Sequence, residues 1–126
     1  MQLLGIGTDI VQLSRIEDLY VQFGDKFLAR ILSPYELNII QNNDHKISYL
    51  AKRFAAKEAV AKALGTGMGK FMAFTEISIE NTPEGKPIVV LLGKAKTYAD
   101  SNGVREIAIT LSDEKEYAVA FAIALG

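Results

Sequence analysis

The chain has 126 residues, of which 49% are hydrophobic, and its formal net charge is −1. This composition suits one folded domain over residues 1–126, excludes a disordered chain, and argues against general nucleic-acid binding. The absence of cysteine excludes disulfides and thiolate metal sites, and the lack of a long apolar run or a signal-peptide pattern excludes a membrane span and favours a cytoplasmic protein.

The first half of the chain is predicted to contain one strand and then four helices. The strand covers residues 3–11, which are mostly apolar. The helices are expected at residues 15–23, 26–32, 34–41 and 47–64. Their boundaries carry capping signals, which are Ser14 and Asp25 as N-caps, a capping box from Ser33 to Glu36, and Gly65 as the stop of the long helix.

The second half is predicted to alternate between strands and turns, with one short helix. Strands are expected at residues 74–81, 88–92, 106–112 and 117–125, and the helix at 95–101. The last strand is apolar on both faces, so one face must meet the core and the other a helix or another subunit. The predicted fold class is therefore α+β, with an antiparallel sheet packed on the long central helix in a single domain.

The long helix concentrates cations around a single carboxylate. Glu58 stands among Lys52, Arg53, Lys57 and Lys62 in an alanine-rich segment. Because Glu58 and Lys62 lie one turn apart, they could form an ordinary ion pair worth only ~0.3–0.5 kcal/mol if exposed. The surrounding alanines leave little solvated surface, however, and a half-buried carboxylate among cations favours a divalent metal bound together with a polyphosphate.

A second isolated carboxylate, Asp9, follows Gly5-Ile6-Gly7-Thr8 in the first strand. The glycines would let another backbone or a ligand approach closely, and Asp9 could instead cap a turn or bind backbone amides. Together, Asp9 and Glu58 could supply the two carboxylates that Mg²⁺ combines with water and phosphate oxygens. The glycine-rich segment from Gly65 to Gly69 could suggest a phosphate loop, but it lies at the negative end of a helix, so capping is its default role. The only histidine, His45, lies in a polar loop, which disfavours a Ser/His/Asp apparatus.

Three segments resemble holo-[acyl-carrier-protein] synthase, the small single-domain type of 4′-phosphopantetheinyl transferase. They are Gly5-Ile6-Gly7-Thr8-Asp9-Ile10-Val11 with Arg15-Ile16, Arg53-Phe54-Ala55-Ala56-Lys57-Glu58-Ala59 running to Gly65-Thr66-Gly67, and Gly85-Lys86-Pro87. The first two segments together are specific, and their order and spacing fit along essentially the whole chain. The resemblance implies the fold of that family and transfer of the phosphopantetheine arm of coenzyme A to a serine of apo acyl carrier protein. The product would be 3′,5′-ADP, and the reaction would support fatty acid biosynthesis.

The resemblance also implies roles for single residues. Asp9 and Glu58 would hold Mg²⁺ against the diphosphate, and Lys62 would neutralise a phosphate. Glu58 is the best available general base, because Leu111 stands where many members carry a histidine. Further contacts to the nucleotide part of coenzyme A are expected from Arg53, Lys57 and Gly65.

The implied partners are coenzyme A, an apo acyl carrier protein and further copies of the chain. The family is trimeric, with coenzyme A between adjacent subunits. The acidic carrier protein would dock on the first helical region through Arg15, Lys26, Phe27 and Arg30. Two alternatives are a non-catalytic coenzyme A or nucleotide-binding module on the same fold and a purely structural trimer.

Overall fold

The computed structural model describes residues 1–126 and contains five strands, five α-helices and one 3-10 turn. The helices are α1 (Leu13–Phe23), α2 (Asp25–Ile31), α3 (Pro34–Gln41), α4 (Lys46–Ala63) and α5 (Gly93–Ser101). The strands are β1 (Leu3–Gln12), β2 (Ile77–Asn81), β3 (Pro87–Leu91), β4 (Glu106–Asp113) and β5 (Tyr117–Leu125). The predicted α+β class and the predicted order of elements are confirmed.

The strands form two antiparallel sheets rather than one. Strands β1, β5 and β4 form a three-stranded sheet in that order, and β2 pairs with β3 in a separate hairpin. In the larger sheet, β5 lies in the centre, with Asp9 of β1 opposite Ala120 and Ala120 opposite Leu111 of β4. Because side chains alternate along a strand, these three residues lie in one row on the same face.

Small residues let α4 pack directly on the inner face of this sheet. A side chain at Gly5 would overlap the backbone of Ala63, and one at Gly7 would overlap the backbone of Ala59. Every inward residue of β5 is a buried alanine, namely Ala118, Ala120, Ala122 and Ala124. The glycines of the first strand therefore allow close approach of another backbone, and that backbone is the long helix.

The outer face of the same sheet is apolar and exposed. It carries Ile6 and Ile10 of β1 together with Val119 and Phe121 of β5, all of which are more than a third exposed. The final strand is thus apolar on both faces, as predicted, and its inner face meets the core. None of the helices is both long enough and apolar enough to cross a membrane.

Three local predictions are wrong at element boundaries. Helix α1 begins at Leu13 without a side-chain cap from Ser14, and Asp25 is the first residue of α2 rather than its cap. Residues 74–76 form a 3-10 turn instead of continuing the strand, because the Glu76 carboxylate accepts hydrogen bonds from the backbone N–H groups of Ala73 and Lys94. The capping box is confirmed, with Ser33 N–H and Glu36 Oε1 2.8 Å apart.

Candidate active site

Asp9 and Lys62 meet where α4 crosses β1. Lys62 Nζ donates to Asp9 Oδ1 at 3.1 Å and to the carbonyl oxygen of Thr8 at 2.9 Å. The ion pair between Glu58 and Lys62 that helical spacing allows is not formed, because β1 presents both of these oxygens to the lysine. Lys62 remains half exposed, so its ammonium group is accessible to a ligand from solvent.

Glu58 lies half-buried on α4 beside this pair and makes no hydrogen bond or ion pair within the chain. Burial raises the pKa of the Glu58 carboxyl, and the nearby Asp9 carboxylate raises it further, while Lys62 and Arg15 act in the opposite direction. A carboxylate without a partner, near a second carboxylate, is stabilised by a bound cation. The two residues predicted as metal ligands are therefore brought together by the fold.

The donor set fits a magnesium ion that also binds substrate. No group of three or more His, Asp or Glu side chains that could enclose a metal ion is found in the structure. Mg²⁺ seldom uses an all-protein cage and is commonly held by one or two carboxylates plus water and phosphate oxygens. Asp9 and Glu58 match that requirement, and Asp9 leaves one carboxylate oxygen free of the Lys62 contact.

A cavity of about 540 Å³ opens next to Glu58. Its lining is mostly apolar, with two cations at its border, and consists of Leu19, Phe23, Lys26, Phe27, Arg30, Ile31, Phe54, Glu58 and Phe74. Three of the predicted docking residues, Lys26, Phe27 and Arg30, thus share one cavity with the candidate base. Phe27 is largely buried and forms part of the floor rather than an exposed anchor.

Arg15, the fourth predicted docking residue, lies at the edge of the same region. Its guanidinium carbon lies 5.9 Å from the centroid of the Phe54 ring, and Phe54 lies one helical turn before Glu58. Arg15 also lowers the pKa of Glu58, which places its positive charge near the carboxylate. Arg15 is exposed, so its charge is available both to a partner surface and to the site.

Lys57 was predicted to contact the nucleotide, and the structure contradicts this. Its side chain is fully buried, and its ammonium group donates to Glu36 Oε1 at 2.6 Å and to the carbonyl oxygen of Phe74 at 3.0 Å. Because Lys57 precedes Glu58 by one residue, it points about 100° away around α4 and into the interior. No surface of Lys57 is left for a ligand.

Two other predicted nucleotide contacts are engaged in structural interactions. Arg53 is almost completely buried, with its guanidinium 4.1 Å from the centroid of the Tyr49 ring and one nitrogen donating to Asn81 Oδ1 at 3.1 Å. Gly65 adopts a positive φ and ends α4, where its N–H donates to the carbonyl oxygen of Lys62. Its backbone amide is therefore not free to bind a phosphate, and capping is its observed role.

A sequence model of the 4′-phosphopantetheinyl transferase superfamily matches residues 5–122. The chain belongs to this superfamily. It is 46% identical over 123 residues to the holo-[acyl-carrier-protein] synthase of Photobacterium profundum, with 98% of each chain covered. The crystal structure of holo-[acyl-carrier-protein] synthase from Neisseria meningitidis matches with a TM-score of 0.94 and 40% identity, covering 99% of this chain and 100% of that chain.

A third relative was solved with a ligand. The Helicobacter pylori holo-[acyl-carrier-protein] synthase, in complex with coenzyme A, has a TM-score of 0.84 and 35% identity, covering 95% of this chain and 99% of that chain. These comparisons confirm the predicted fold and enzyme class. The chain is a 4′-phosphopantetheinyl transferase of the holo-[acyl-carrier-protein] synthase type. The interpretations as a non-catalytic binding module or a structural trimer lose their support.

Leu111 is the residue at which the chain departs from a common pattern of this transferase family, and the structure shows its surroundings. Leu111 lies on the inner face of the sheet, in the row that also contains Ala120 and Asp9, and packs against the core. No histidine takes its place nearby, since His45 lines a separate polar cavity with Ser48 and Asp113. Among the residues near Asp9, Glu58 therefore remains the group suited to accept a proton.

Sequence reasoning missed two features, one beside this candidate site and one in its wall. It assigned Glu36 only to the capping box, although the same carboxylate also accepts from Lys57. It also missed the stacking of Phe74 on Phe54, whose ring centroids lie 5.3 Å apart on one wall of the cavity. The one available signal was the placement of Phe54 one turn before Glu58, which puts both on the same side of α4.

Proposed function

We propose that the chain transfers the 4′-phosphopantetheine group of coenzyme A to a serine hydroxyl of apo acyl carrier protein and releases 3′,5′-ADP. We further propose that residues 1–126 act as one transferase domain in the cytoplasm, in support of fatty acid biosynthesis. One observation carries the proposal. Glu58 borders both the Asp9–Lys62 pair and the apolar cavity that Lys26 and Arg30 flank, so the groups that would bind phosphate and the groove that would receive the carrier meet at one carboxylate.

In the proposed reaction, the serine oxygen of the carrier attacks the phosphorus that bears the pantetheine arm. A new phosphorus–oxygen bond forms to serine, and the bridging phosphorus–oxygen bond of the diphosphate breaks, so that 3′,5′-ADP leaves with the bond's electron pair. The serine proton passes to the Glu58 carboxylate, which makes no hydrogen bond or ion pair within the chain and is therefore free to accept it. Positioning and charge neutralisation supply most of the catalysis in phosphoryl transfer.

The charged residues of the site divide this work. Asp9 and Glu58 would hold Mg²⁺, which when bound offsets the negative charge of the diphosphate. Lys62 is anchored on Asp9 and the Thr8 carbonyl with its ammonium group accessible, and it would neutralise charge on the leaving 3′,5′-ADP. Arg53 and Gly65 would contribute at most secondary contacts to the nucleotide, because both are engaged within the fold.

The docking surface that we propose for the carrier protein is the cavity with its cationic border. Lys26 and Arg30 flank an apolar floor that includes Phe27, and Arg15 adds a third exposed cation nearby. Carrier proteins are acidic, so such a border would steer the carrier and orient its serine toward Glu58. Glu17 and Asp18 lie exposed on α1 and dilute this charge, which favours moderate rather than tight docking.

We also propose that the chain forms a homotrimer with coenzyme A bound between adjacent subunits. The exposed apolar outer face of the larger sheet supports this, because patches of that kind commonly mark subunit interfaces. Ile6, Thr8 and Phe121 of that face line a small cavity together with Lys62. A subunit that covered the face would therefore border the phosphate site.

The proposal is tested by intact-mass spectrometry of an apo acyl carrier protein incubated with this chain, coenzyme A and Mg²⁺, with and without EDTA. A gain of one phosphopantetheine mass that EDTA abolishes is the expected result. A folded protein that binds coenzyme A but modifies none of several apo carriers would overturn the proposal and leave the binding-module interpretation.

A further inference from the structure

A completely buried ion pair lies beside the site without contributing a surface to it. Lys57 and Glu36 are both fully buried, and their charged atoms are 2.6 Å apart. The Glu36 carboxylate also accepts from the backbone N–H of Ser33 at 2.8 Å and from that of Ile79 at 2.6 Å. Since Lys57 additionally donates to the Phe74 carbonyl, the pair joins α3, α4, β2 and the 3-10 turn at one point.

A buried ion pair of this kind contributes little net free energy to the stability of a fold. Removing two charges from water carries a desolvation penalty that their attraction only partly offsets, and apolar residues of similar volume often serve as well. Desolvation accordingly lowers the pKa of Lys57 despite its acidic partner. What an apolar pair lacks is direction, because each bond of Glu36 and Lys57 fixes one backbone segment at one distance and angle.

The pair is connected to the site along two short routes. Lys57 and Glu58 are consecutive on α4, so a fixed Lys57 sets the rotation of the helix that presents Glu58. The Phe74 carbonyl bonded by Lys57 belongs to the residue whose ring stacks on Phe54. Both rings line the cavity that ends at Glu58, so movement of the 3-10 turn would displace the wall against which a docked partner lies.

We propose that the Glu36–Lys57 pair is a positioning device for the transfer reaction. It holds Glu58 at its angle toward the serine hydroxyl and holds the Phe54–Phe74 wall in register with it. Neither residue touches a substrate. The inference rests on the proposed function for the part that concerns catalysis, whereas the placement of the Phe54–Phe74 wall can be measured without any reaction.

The kinetic test uses the double variant Glu36→Gln/Lys57→Met beside the single variant Lys57→Met. The double variant removes both charges, and its glutamine keeps one of the two hydrogen bonds from backbone N–H groups. The single variant instead buries an unpaired carboxylate, so the double variant should have the higher melting temperature. We expect kcat of the folded double variant to be about 10- to 100-fold below that of the unmodified chain, with KM for coenzyme A within about twofold. A purely structural role predicts instead that activity follows the folded fraction.

The matched control is Lys96→Met, which removes a lysine from the exposed Lys96–Asp100 pair of α5 and should leave kcat unchanged. A double variant that is folded at the assay temperature and turns over at the unmodified rate would overturn the proposal. So would an equal loss of kcat in Lys96→Met, because the effect would then not depend on the buried pair.

A second measurement is independent of turnover. Glu36→Asp keeps both charges but withdraws the carboxylate by one methylene, which is a milder change. In protein labelled with 4-fluorophenylalanine, the fluorine resonances of Phe54 and Phe74 should shift in Glu36→Asp and stay in place in Lys96→Met. Unshifted resonances would overturn the inference. If the unmodified chain fails to modify any carrier, the proposed function fails, and these spectra still decide whether the pair positions the wall.

Discussion

Three of the four lysines of helix α4 follow one another at intervals of five residues, and each of these three is paired with a carboxylate from another element. Lys52 pairs with Asp113 at 3.3 Å, Lys57 with Glu36 at 2.6 Å, and Lys62 with Asp9 at 3.1 Å. Five residues rotate a helix by about 140° beyond one full turn, so the three lysines point in three different directions. Lys52 therefore meets the β4–β5 hairpin, Lys57 meets α3, and Lys62 meets β1.

The surroundings of each pair decide what its charges can do. The side chains of Lys57 and Glu36 are 0% exposed, whereas those of Lys62 and Asp9 are 53% and 18% exposed. The charged groups of the buried pair bind each other and backbone groups of neighbouring segments, so they hold those segments in place. The exposed pair holds a cation at the surface beside the unpartnered Glu58, where an anionic substrate can reach it. The Lys57–Glu36 pair thus serves structure, whereas we propose that the pair formed by Lys62, five residues later on the helix, serves the chemistry.

The largest expected effect is that of Glu58→Ala, which removes the carboxylate without a protein partner. We expect kcat to fall by about 10²- to 10⁴-fold, since the general base and one predicted metal ligand are lost together. The change removes no bond within the fold, so the melting temperature should stay near that of the unmodified chain. The rate of carrier modification, followed by intact mass, measures the effect. Glu84→Ala, in an exposed turn, is the matched control, and normal turnover in Glu58→Ala would refute the mechanism.

The next largest effect separates the two lysine pairs by stability. Lys57→Met should lower the free energy of unfolding by about 3–5 kcal/mol, because it leaves the Glu36 carboxylate buried without its partner. Lys62→Met should lower it by less than about 1 kcal/mol, because the Lys62 side chain is half exposed and solvent screens its charge. Urea denaturation of the two variants measures the difference. Equal losses would show that the exposed and buried pairs do not differ as the structure indicates.

The sequence allowed the fold and the closeness of Asp9, Glu58 and Lys62 to be predicted, but not the pairing of Lys62 with Asp9 or the buried Lys57–Glu36 pair. Helical spacing and the alternating pattern located the elements, because both signals are local. The resemblance to the transferase family placed Asp9, Glu58 and Lys62 in one site. Nothing local indicated the partner of Lys57, since Glu36 lies 21 residues earlier and already had a complete role in the capping box. A cationic run alone does not reveal which of its members point inward.

A smaller effect is expected at the border of the cavity. Arg15→Glu should raise KM for the carrier protein by about tenfold through repulsion of its acidic surface, and should leave KM for coenzyme A nearly unchanged. Steady-state kinetics with each substrate varied in turn measure both constants. Arg105→Glu, an exposed arginine outside this cavity, is the matched control. Equal increases of the two constants would refute the assignment of Arg15 to docking and indicate that its charge acts mainly on Glu58.

The smallest effect concerns the third pair and depends on pH. A hydrogen bond from the Ser48 hydroxyl, reinforced by Lys52, lowers the pKa of Asp113 below its ordinary value of 3.8. The folded state therefore binds fewer protons than the unfolded state, so this contribution to stability is fully present above the ordinary pKa and is lost as the pH falls through the lowered one.

Asp113→Asn should reduce stability at neutral pH by less than about 1 kcal/mol, and its melting temperature should converge with that of the unmodified chain below about pH 4. Glu114→Gln, which alters the same hairpin without touching Ser48 or Lys52, should show no such convergence. A constant difference between Asp113→Asn and the unmodified chain across the acid range would mean that the hydrogen bond, rather than the charge of Asp113, carries the stabilisation.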